Sequence, residues 1–356
     1  MKILLFGEFS GLHTNLQSGL KEVGHDVTLI STRDSYKKIN GDIVLKQRFN
    51  NKYLKYIWSF LQFWFLLFSI KKYDVIQLIS YDFLKMPHFF RLKYIKALKR
   101  RNKHVILNKS GLDAFGISVL LGNLRYSPFQ NELKEEVYDG LCKDLGYRQL
   151  LKSKEIAMLF SGIITNMYEY HLPYYKFNNY LGHAPLPLHT KQLNKENVIN
   201  GKIKILYGIL RKALKGHTYI IQALNKIEKD FHGLIEIQIV EKLSLEDYKK
   251  KLNNCNILID QACCYSYGMN ALYAGSMAKV VLTGNEQESE DFFGRKAPFI
   301  NILPDVDDIY NKIKFFIINP NKINLIGNET RDYVKDFHCH KKVAKEYITL
   351  YEKLNK

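Results

Sequence analysis

Three cations stand just before a predicted helix in the second half of the chain. Arg211, Lys212 and Lys215 follow a predicted strand over Lys202–Tyr207 and precede a predicted helix over Gly216–Lys229. Positive side chains at a helix start oppose the helix dipole unless an anion joins them. We therefore predict that Arg211 and Lys215 bind a phosphate group. The alternative is a solvated loop whose charges are incidental.

A second candidate phosphate site lies further along the chain. The sequence there predicts a buried strand, a helix rich in small residues and another strand, over Asn256–Asp260, Gly268–Ser276 and Lys279–Thr283. Ligands of open parallel sheets bind beyond the carboxyl ends of the strands, and unpaired N–H groups at a helix start bind phosphate. Gly268, Met269 and Asn270 are therefore predicted to bind a nucleotide diphosphate, with Asp260 at the neighbouring strand end.

Two further carboxylates follow predicted strands. Asp113 comes after the strand His104–Asn108 and is the candidate to contact an acceptor hydroxyl as a base. The alternative is that Asp113 caps the next helix. Glu286 lies in the acidic run 285–291, where it could bind ribose or sugar hydroxyls. The alternative there is the first turn of a helix, where carboxylates are stabilising.

The second candidate site also resembles a known family. The matching residues are Tyr267-Gly268-Met269, Tyr273-Ala274 and Lys279-Val280-Val281. They resemble the donor-site segment of retaining glycosyltransferases of the two-domain GT-B type, family 4, which reads Phe-Gly-Leu, Glu-Ala-Met-Ala and Gly-x-Pro-Val-Val. The segment RKALKG, residues 211–216, resembles the Arg and Lys-Gly pair that holds the donor phosphates in that family. The resemblance spans roughly residues 203–290, and the N-terminal half matches only in outline.

The sequence departs from the family pattern at two positions. The family places two glutamates eight positions apart, the second on the donor ribose, and here Tyr265 and Tyr273 stand in those places. Tyr273 stays a predicted donor-site residue, and Glu286 is the candidate to replace the missing carboxylate. The tyrosines leave a second hypothesis open, a non-catalytic subunit that binds a glycan or a partner through a degenerate GT-B fold.

The resemblance implies an α/β fold of two Rossmann-like domains that face a cleft. Its expected parts are an acceptor domain, a linker, a nucleotide-sugar domain and a C-terminal helix that crosses back to the first domain, over residues 1–188, 189–202, 203–336 and 337–356. In GT-B enzymes the loop after the first strand faces the cleft, which makes Gly11, His13 and Asn15 candidates on the acceptor side. For His13 a helix cap or a surface role is the alternative.

The resemblance also implies a hexosyltransferase-type enzyme, EC 2.4, that retains the anomeric configuration and needs neither metal nor cofactor. Its co-substrate is expected to be a UDP- or GDP-linked sugar. Its acceptor is expected to be a glycan or a polyprenyl-diphosphate-linked sugar in cell-surface polysaccharide assembly. Departing diphosphate charge would then be stabilised by Arg211 and Lys215.

The overall charge indicates polyanionic partners. The 356 residues carry a formal net charge of +18, and the isoelectric point is about 9.4. Such a surface suits nucleic acid, anionic lipid or phosphorylated substrates, although part of the basicity is compositional. A nucleic-acid-binding protein is the third hypothesis. Because no helix-turn-helix, zinc or RNA-binding signature accompanies the charge, we expect no specific nucleic-acid partner.

The most apolar stretch, Tyr53–Ile70, contains both tryptophans, Trp58 and Trp64. Its apolar core is shorter than the ~20 residues that span a bilayer. Two interpretations compete: a helix packed on the N-terminal sheet, or a helix whose aromatic face, with Trp58 and Trp64, lies in an anionic membrane interface. A basic run over residues 93–103 would extend a face toward lipid.

Cysteine usage and the N-terminus indicate a cytoplasmic chain, peripheral on the inner face of the plasma membrane on the second interpretation. The five cysteines are odd in number and form no Cys-x-x-Cys motif, which favours reduced thiols. The start MKILLFGEF runs into a predicted strand and has no cleavage-site pattern. His338-Cys339-His340 has no second cluster to complete a metal site, so no metal is expected.

Overall fold

The computed structural model describes residues 1–46, 48–133, 145–190 and 196–355. Within these residues the chain builds two sheets whose paired strands are all parallel, one of seven strands and one of five. Strands in such sheets are buried on both faces and read as continuous apolar runs, which is why KILLF and IKILYGI are strands. The α/β class and its two Rossmann-like units are confirmed.

The first sheet comes from residues 1–190. Its strands are β1 (Lys2–Phe6), β2 (Asp26–Ser31), β3 (Ile43–Val44), β4 (Val75–Leu78), β5 (His104–Lys109), β6 (Gly162–Thr165) and β7 (Tyr180–His183). They lie in the order β3-β2-β1-β4-β5-β6-β7. The connecting helices are α1 (Leu12–Glu22), α2 (Lys52–Ser69), α3 (His88–Arg101), α4 (Ala114–Asn123), α5 (Pro128–Leu133), α6 (Tyr147–Leu159) and α7 (Tyr168–Tyr174).

The second sheet comes from residues after 202. Its strands are β8 (Ile203–Ile209), β9 (Ile235–Glu241), β10 (Ile257–Ile259), β11 (Val280–Thr283) and β12 (Ile300–Asn301), in the order β12-β11-β10-β8-β9. Its helices are α8 (Lys212–Lys215), α9 (His217–Phe231), α10 (Leu245–Asn253), α11 (Met269–Ser276), α12 (Gln287–Phe293), α13 (Val306–Ile318) and α14 (Asn321–Phe337). The predicted strand-helix-strand unit is therefore β10-α11-β11, at the centre of this sheet.

The last helix, α15 (His340–Glu352), crosses back to the first sheet as predicted. Its buried face packs with the first sheet and with α1 in one apolar cluster that includes Leu16, Val343 and Tyr347. The hydroxyl of Tyr351 donates to Gln77 Oε1 of β4 at 2.7 Å. The chain thus closes on the domain in which it began.

Several details differ from the sequence expectations. The short strands β3, β7 and β12 were not predicted, because edge strands of two to four residues carry little periodic signal. The predicted loop over 208–215 contains the short helix α8. Part of the linker expected over 189–202 lies outside the described residues, as does part of the polar stretch 131–153.

The junction of α1 and α15 is close enough to test with glycine substitutions. A Cβ added at Gly19 in α1 would lie 2.1 Å from the carbonyl oxygen of His340, whereas one at Gly122 in α4 would meet nothing within 4 Å. We expect Gly19→Ala to lower the free energy of unfolding by roughly 1–3 kcal/mol, because α15 must shift.

The matched control is Gly122→Ala, which should raise the free energy of unfolding by roughly 0.5–1 kcal/mol, since alanine loses less backbone entropy in a helix. Urea denaturation followed by circular dichroism measures both changes. A stabilising effect of Gly19→Ala equal to that of Gly122→Ala would contradict the close packing of α15 on α1.

Candidate functional site

A cavity of about 350 Å³ lies between the two sheets. Its walls are formed by loops that leave the carboxyl ends of β1, β5, β6, β8 and β10, so both domains contribute. Open parallel sheets bind ligands at this edge, and small-molecule sites commonly lie at domain interfaces. The arrangement makes this cavity the candidate functional site.

Most of the predicted donor-side residues line this cavity. The structure brings together Asp260, Arg211, Lys215, Gly268, Met269 and Asn270 on its walls. They come from two segments about fifty residues apart in sequence, the turn after β8 and the start of α11. Their roles in binding stay predictions, but the two predicted phosphate sites form one site.

The start of α11 leaves backbone donors open toward this cavity. Its N-cap is Gly268, which has no side chain to accept a hydrogen bond from the first turn. The first N–H groups of an α-helix have no partner within the helix. Gly268, Met269 and Asn270 line the cavity, so an anion there would be bound by the amides and by the positive end of the helix dipole.

The two cations of the turn after β8 differ in their surroundings. Lys215 is buried and its ammonium contacts Asp260 Oδ1 in an ion pair. Asn270 Nδ2 donates to the same carboxylate oxygen at 3.3 Å. Arg211, by contrast, is exposed, and the ion pairs of the described residues do not include it. Arg211 is therefore the cation at the cavity that is available to a phosphate.

The backbone of Arg211 is also strained. Its φ is +53°, in the left-handed region, where it forms the N-cap of α8. A non-glycine residue in this region costs of order 1–3 kcal/mol and persists only where the surrounding structure holds it. Residues in such conformations cluster at functional sites. The strain is consistent with a binding role for this turn.

The two tyrosines that replace the family glutamates bind the first domain. The Tyr273 hydroxyl donates to Ser10 O at 3.0 Å, and Tyr273 is not on the cavity wall. The Tyr265 hydroxyl accepts the backbone N–H of Arg125 at 2.8 Å, and the Tyr265 ring stacks on Tyr126 with centroids 4.8 Å apart. Both side chains connect the domains, so Tyr273 does not occupy the place of a ribose ligand.

Glu286 is held at the rim of the cleft rather than on the cavity wall. Its Oε2 accepts from the Arg125 guanidinium at 2.7 Å. Its Oε1 accepts from the Tyr126 hydroxyl at 2.9 Å and from Asn301 Nδ2 at 2.7 Å. These contacts hold Glu286 between the two domains and away from the residues that line the cavity, and its replacement of the missing carboxylate at the donor stays a prediction.

Asp113 takes the structural role that the sequence left as the alternative. Its Oδ1 accepts the N–H of Gly116 at 2.7 Å and so caps α4. Its Oδ2 lies 2.6 Å from the ammonium of buried Lys109, and the Tyr81 and Tyr174 hydroxyls donate to the same oxygen. Burial raises the pKa of Asp113, but Lys109 and these hydrogen bonds outweigh it and the net pKa is lowered. Asp113 is not on the cavity wall, so a role as base has no geometric support.

The three candidates of the first loop lie behind the cavity. His13 is buried, with Nδ1 2.8 Å from Gly7 O, and burial lowers its pKa to about 3. Asn15 Oδ1 accepts the N–H of His189, which ties α1 to the chain after β7. A Cβ on Gly11, whose φ is +86°, would lie 2.2 Å from the Tyr273 hydroxyl. These residues position the loop, while their neighbours Ser10 and Leu12 line the cavity.

Sequence reasoning missed Glu169, which does line the cavity. It lies in the first turn of α7, directly after β6, and is buried. Its Oε1 accepts the N–H groups of Tyr265 and Ser266 at 2.6 and 2.8 Å. The available signal was a carboxylate four residues beyond Thr165, the last residue of the buried strand β6.

Among the described residues, one cluster of side chains has the composition of a metal site. Glu22, His189 and His340 have one ligand atom each within 4.8 Å of one another. Glu22 already accepts from His340 at 3.0 Å and from the Lys341 ammonium at 2.9 Å. These contacts fasten α15 to α1. The cluster lies away from the cavity walls.

The two tryptophans face the protein rather than the surroundings. Trp58 donates its indole N–H to Lys46 O at 3.0 Å, and the Trp64 ring packs edge-on against buried Tyr94 at 5.8 Å. Seven apolar side chains among the described residues of α2 are exposed, and five of them, spaced three or four residues apart, form a ridge; the ridge is Tyr53, Ile57, Leu61, Phe65 and Phe68, and the other two are Leu54 and Tyr56. Within the described parts of the chain, no helix is long and apolar enough to cross a membrane.

Comparison with known proteins identifies the fold. No family model and no curated protein sequence matches the chain. Sucrose-phosphate synthase from Thermosynechococcus elongatus superposes with a TM-score of 0.65 at 12% identity, covering 100% of this chain and 99% of that one. The chain has the GT-B fold.

Two further matches show how broad the architecture is. Anabaena HepE, solved in complex with UDP and glucose, gives a TM-score of 0.63 at 9% identity, over 99% of this chain and 100% of that one. UDP-GlcNAc 2-epimerase from Methanocaldococcus jannaschii gives 0.53 at 12% identity, over 98% and 100%. At these identities the GT-B likeness concerns the fold, and the chemistry must be argued from the site.

Because Lys215 and Asp260 form a buried ion pair, removing one charge should destabilise the protein more than removing both. Lys215→Met leaves a buried carboxylate without its cation and should cost roughly 3–5 kcal/mol of the free energy of unfolding. The double variant Lys215→Met/Asp260→Asn removes both charges and should lose less than Lys215→Met alone. Urea denaturation at pH 7 measures the free energy of unfolding of wild type, of Lys215→Met, of Asp260→Asn and of the double variant.

An exposed pair provides the matched control. Lys226 and Asp307 are 2.6 Å apart and half or more exposed, so Lys226→Met should cost at most ~1 kcal/mol. If Lys215→Met and Asp260→Asn prove additive in the double variant, the two side chains do not act as a buried pair.

Proposed function

We propose that this GT-B protein is a glycosyltransferase that takes a sugar from a nucleotide sugar. The observation that carries the proposal is the convergence of exposed Arg211 and the uncapped start of α11 on one cavity between the two sheets. A cation and unpaired amides aimed at one point suit a diphosphate. HepE, whose fold this chain shares, was solved with UDP and glucose, which supports a UDP-linked donor.

The proposed reaction assigns each domain a part. The acceptor hydroxyl oxygen bonds to the anomeric carbon of the sugar while the bond from that carbon to the phosphate oxygen breaks. The nucleoside diphosphate departs with the bonding electrons, and its departing phosphate oxygen takes the proton of the acceptor hydroxyl. Arg211 and the amides of Met269 and Asn270 stabilise the charge that builds on the diphosphate. The first domain presents the acceptor.

The finer assignment is a retaining hexosyltransferase, EC 2.4, that works without a metal or a cofactor. Its donor is UDP- or GDP-linked, and its acceptor is a glycan or a polyprenyl-diphosphate-linked sugar of cell-surface polysaccharide. The resemblance of residues 203–290 to family 4 supports these points. Lys215, paired with Asp260, supports the turn structurally and holds Asp260 and Asn270 in place at the cavity.

Nucleotide binding tests the proposal directly. We expect UDP or GDP to raise the thermal unfolding midpoint, since a ligand at 100 times its Kd adds ~2.7 kcal/mol to the free energy of unfolding. Arg211→Ala should abolish most of this gain and lower turnover by roughly 100-fold, the effect of losing one preorganised charge contact. Scanning fluorimetry and a nucleoside-diphosphate release assay measure the two effects.

The control is Lys229→Ala, an exposed cation near the far end of α9 from the cavity. It should leave both binding and turnover at the wild-type level. Nucleotide binding that is the same in Arg211→Ala and wild type would defeat the assignment of the diphosphate to this turn. Conversion of the nucleotide sugar without release of nucleoside diphosphate would indicate an epimerase-type reaction instead.

A second candidate is a non-catalytic subunit that binds a glycan or a partner. The observation that favours it is the use of Tyr265 and Tyr273 for contacts between the domains in place of donor carboxylates. Such a protein would bind nucleotides weakly or not at all and release no product. The release assay, run with a panel of UDP- and GDP-sugars, separates the two candidates.

We further propose that the protein lies peripherally on the cytoplasmic face of an anionic membrane. The apolar ridge of α2 is exposed along its length, with Phe65 and Phe68 at 75% and 70%. Helix α3 runs beside it and carries exposed Lys93, Lys96, Lys99, Arg100 and Arg101. The Arg101 guanidinium lies 5.7 Å from the Phe68 ring centroid, so cations flank the ridge. Aromatic side chains flanked by cations suit an interface of anionic lipid.

Substitutions on the ridge test membrane binding without disturbing the core. Phe65→Glu/Phe68→Glu should reduce partitioning onto phosphatidylglycerol-containing vesicles about tenfold or more, since each phenylalanine contributes ~2 kcal/mol on burial. Vesicle sedimentation measures the bound fraction.

The matched control is Leu325→Glu, at an exposed apolar position on α14 of the second domain, away from the ridge. It should bind vesicles as wild type does. Equal partitioning of the ridge variant and wild type, or equal binding to neutral and anionic vesicles, would show that the ridge does not contact lipid.

A further inference from the structure

The carboxylates on the cavity wall differ in their partners. Asp34 accepts from the Lys37 ammonium at 2.8 Å, and Asp260 is paired with Lys215. Glu169 has no basic partner within the described residues. Its Oε1 accepts two backbone N–H groups of the second domain. Its Oε2 is buried and accepts no hydrogen bond from any of the described residues.

The position of Glu169 relates it to the tyrosine substitution. Its Oε1 lies 2.6 Å from the backbone nitrogen of Tyr265, a position where the resemblance leads one to expect a glutamate. The Tyr265 side chain is directed to Tyr126 and the backbone of Arg125 in the first domain. A carboxylate is therefore present next to position 265 after all, but it comes from the first domain.

An unpaired carboxylate oxygen needs a hydrogen-bond donor. Glu169 is 8% exposed, and a buried acceptor without a partner is costly. Burial raises the pKa of Glu169, and its hydrogen bonds with the second domain only partly offset that effect. Because Glu169 lines the cavity, a molecule that enters the cavity can supply the missing donor. Sugar hydroxyl groups are donors of the required kind.

We propose that Glu169 binds a hydroxyl of the transferred sugar and so substitutes, from the first domain, for a carboxylate at position 265. The inference rests on the proposed function and adds a sugar-binding residue to it. Because Oε1 is fixed by two amides of the second domain, Oε2 is held rigidly for a directional contact. Such a contact depends on the two domains being together, so the sugar would be bound only in the closed arrangement.

The variant Glu169→Gln separates this role from a structural one. Its amide oxygen can still accept from Tyr265 and Ser266, while its NH₂ group replaces the acceptor Oε2. We expect the Kd for the nucleotide sugar to rise about 10- to 100-fold, the usual effect of losing a hydrogen bond to a charged group. The Kd for the nucleoside diphosphate should not change, because the diphosphate is bound by Arg211 and α11.

The experiment is calorimetric titration of the full chain. The probes are UDP and GDP, and then UDP-glucose, UDP-N-acetylglucosamine and GDP-mannose, with the tightest wild-type ligand carried forward. The control is Glu8→Gln, since Glu8 is equally buried but both its oxygens accept hydrogen bonds from Gly11 and Thr14, and it is not on the cavity wall. Glu8→Gln should keep the wild-type ratio between the Kd values of the nucleoside diphosphate and the nucleotide sugar.

Each outcome decides between distinct interpretations. An unchanged nucleotide-sugar Kd in Glu169→Gln overturns the proposal. A lower Kd also overturns it, because it would show that the Glu169 carboxylate keeps the ligand away from the backbone amides of Tyr265 and Ser266. A parallel loss for UDP and UDP-sugar indicates a structural role. If Glu169→Gln fails to fold, Glu169→Asp replaces it, and a wild-type Kd in that shortened variant equally overturns the proposal. If wild type binds no nucleotide, the proposed function itself fails, and this inference with it.

Discussion

The contact between the two sheets depends on the segment that joins β10 to α11. Its backbone donates to Glu169 of the first domain through Tyr265 and Ser266, and Ser266 Oγ accepts the N–H of Tyr168 at 3.1 Å. These bonds are buried, where a hydrogen bond is electrostatically stronger than in water and an unmade one is costly. The same segment leads directly into α11, whose start has no side-chain cap and lines the cavity. The geometry of the site is thus set by the contact that closes the cleft.

The charges of the cavity follow from this closed geometry. A buried lysine beside a phosphate site would add a cation, but Lys215 is neutralised by Asp260, so the pair contributes position rather than charge. What remains for an anion is Arg211 and the positive end of α11. Both lie on the second domain. The first domain contributes the carboxylate of Glu169, so the two walls are electrostatically different, one suited to phosphate and the other to hydroxyl groups.

Local sequence patterns predicted the elements of this fold well, and its long-range contacts poorly. Buried parallel strands such as β1 and β10 are continuous apolar runs, and the helix start at Gly268 carries the resemblance, so these elements could be predicted. The partners of Tyr273 and Tyr265 lie 263 and 140 residues away in the chain, and nothing local specifies them. Asp113 and Glu169 both follow buried strands, yet Lys109 pairs with the former, whereas no cation of the described residues forms an ion pair with the latter. Only the fold distinguishes them.

The rim of the cleft and its interior contribute differently to closure. Arg125 is exposed where it pairs with Glu286 and Glu288, and exposed ion pairs contribute little because water and salt screen them. The buried contacts of Glu169 and the partly buried contacts of Tyr265 and Tyr273 fix the spacing of the two walls. Tyr265 and Tyr273 therefore connect the two domains at the positions where the family has glutamates. A phenol reaches across to the opposite backbone as a neutral hydrogen-bonding group and so adds no buried charge. Contacts between the domains are thereby shared among neighbouring residues of opposite domains.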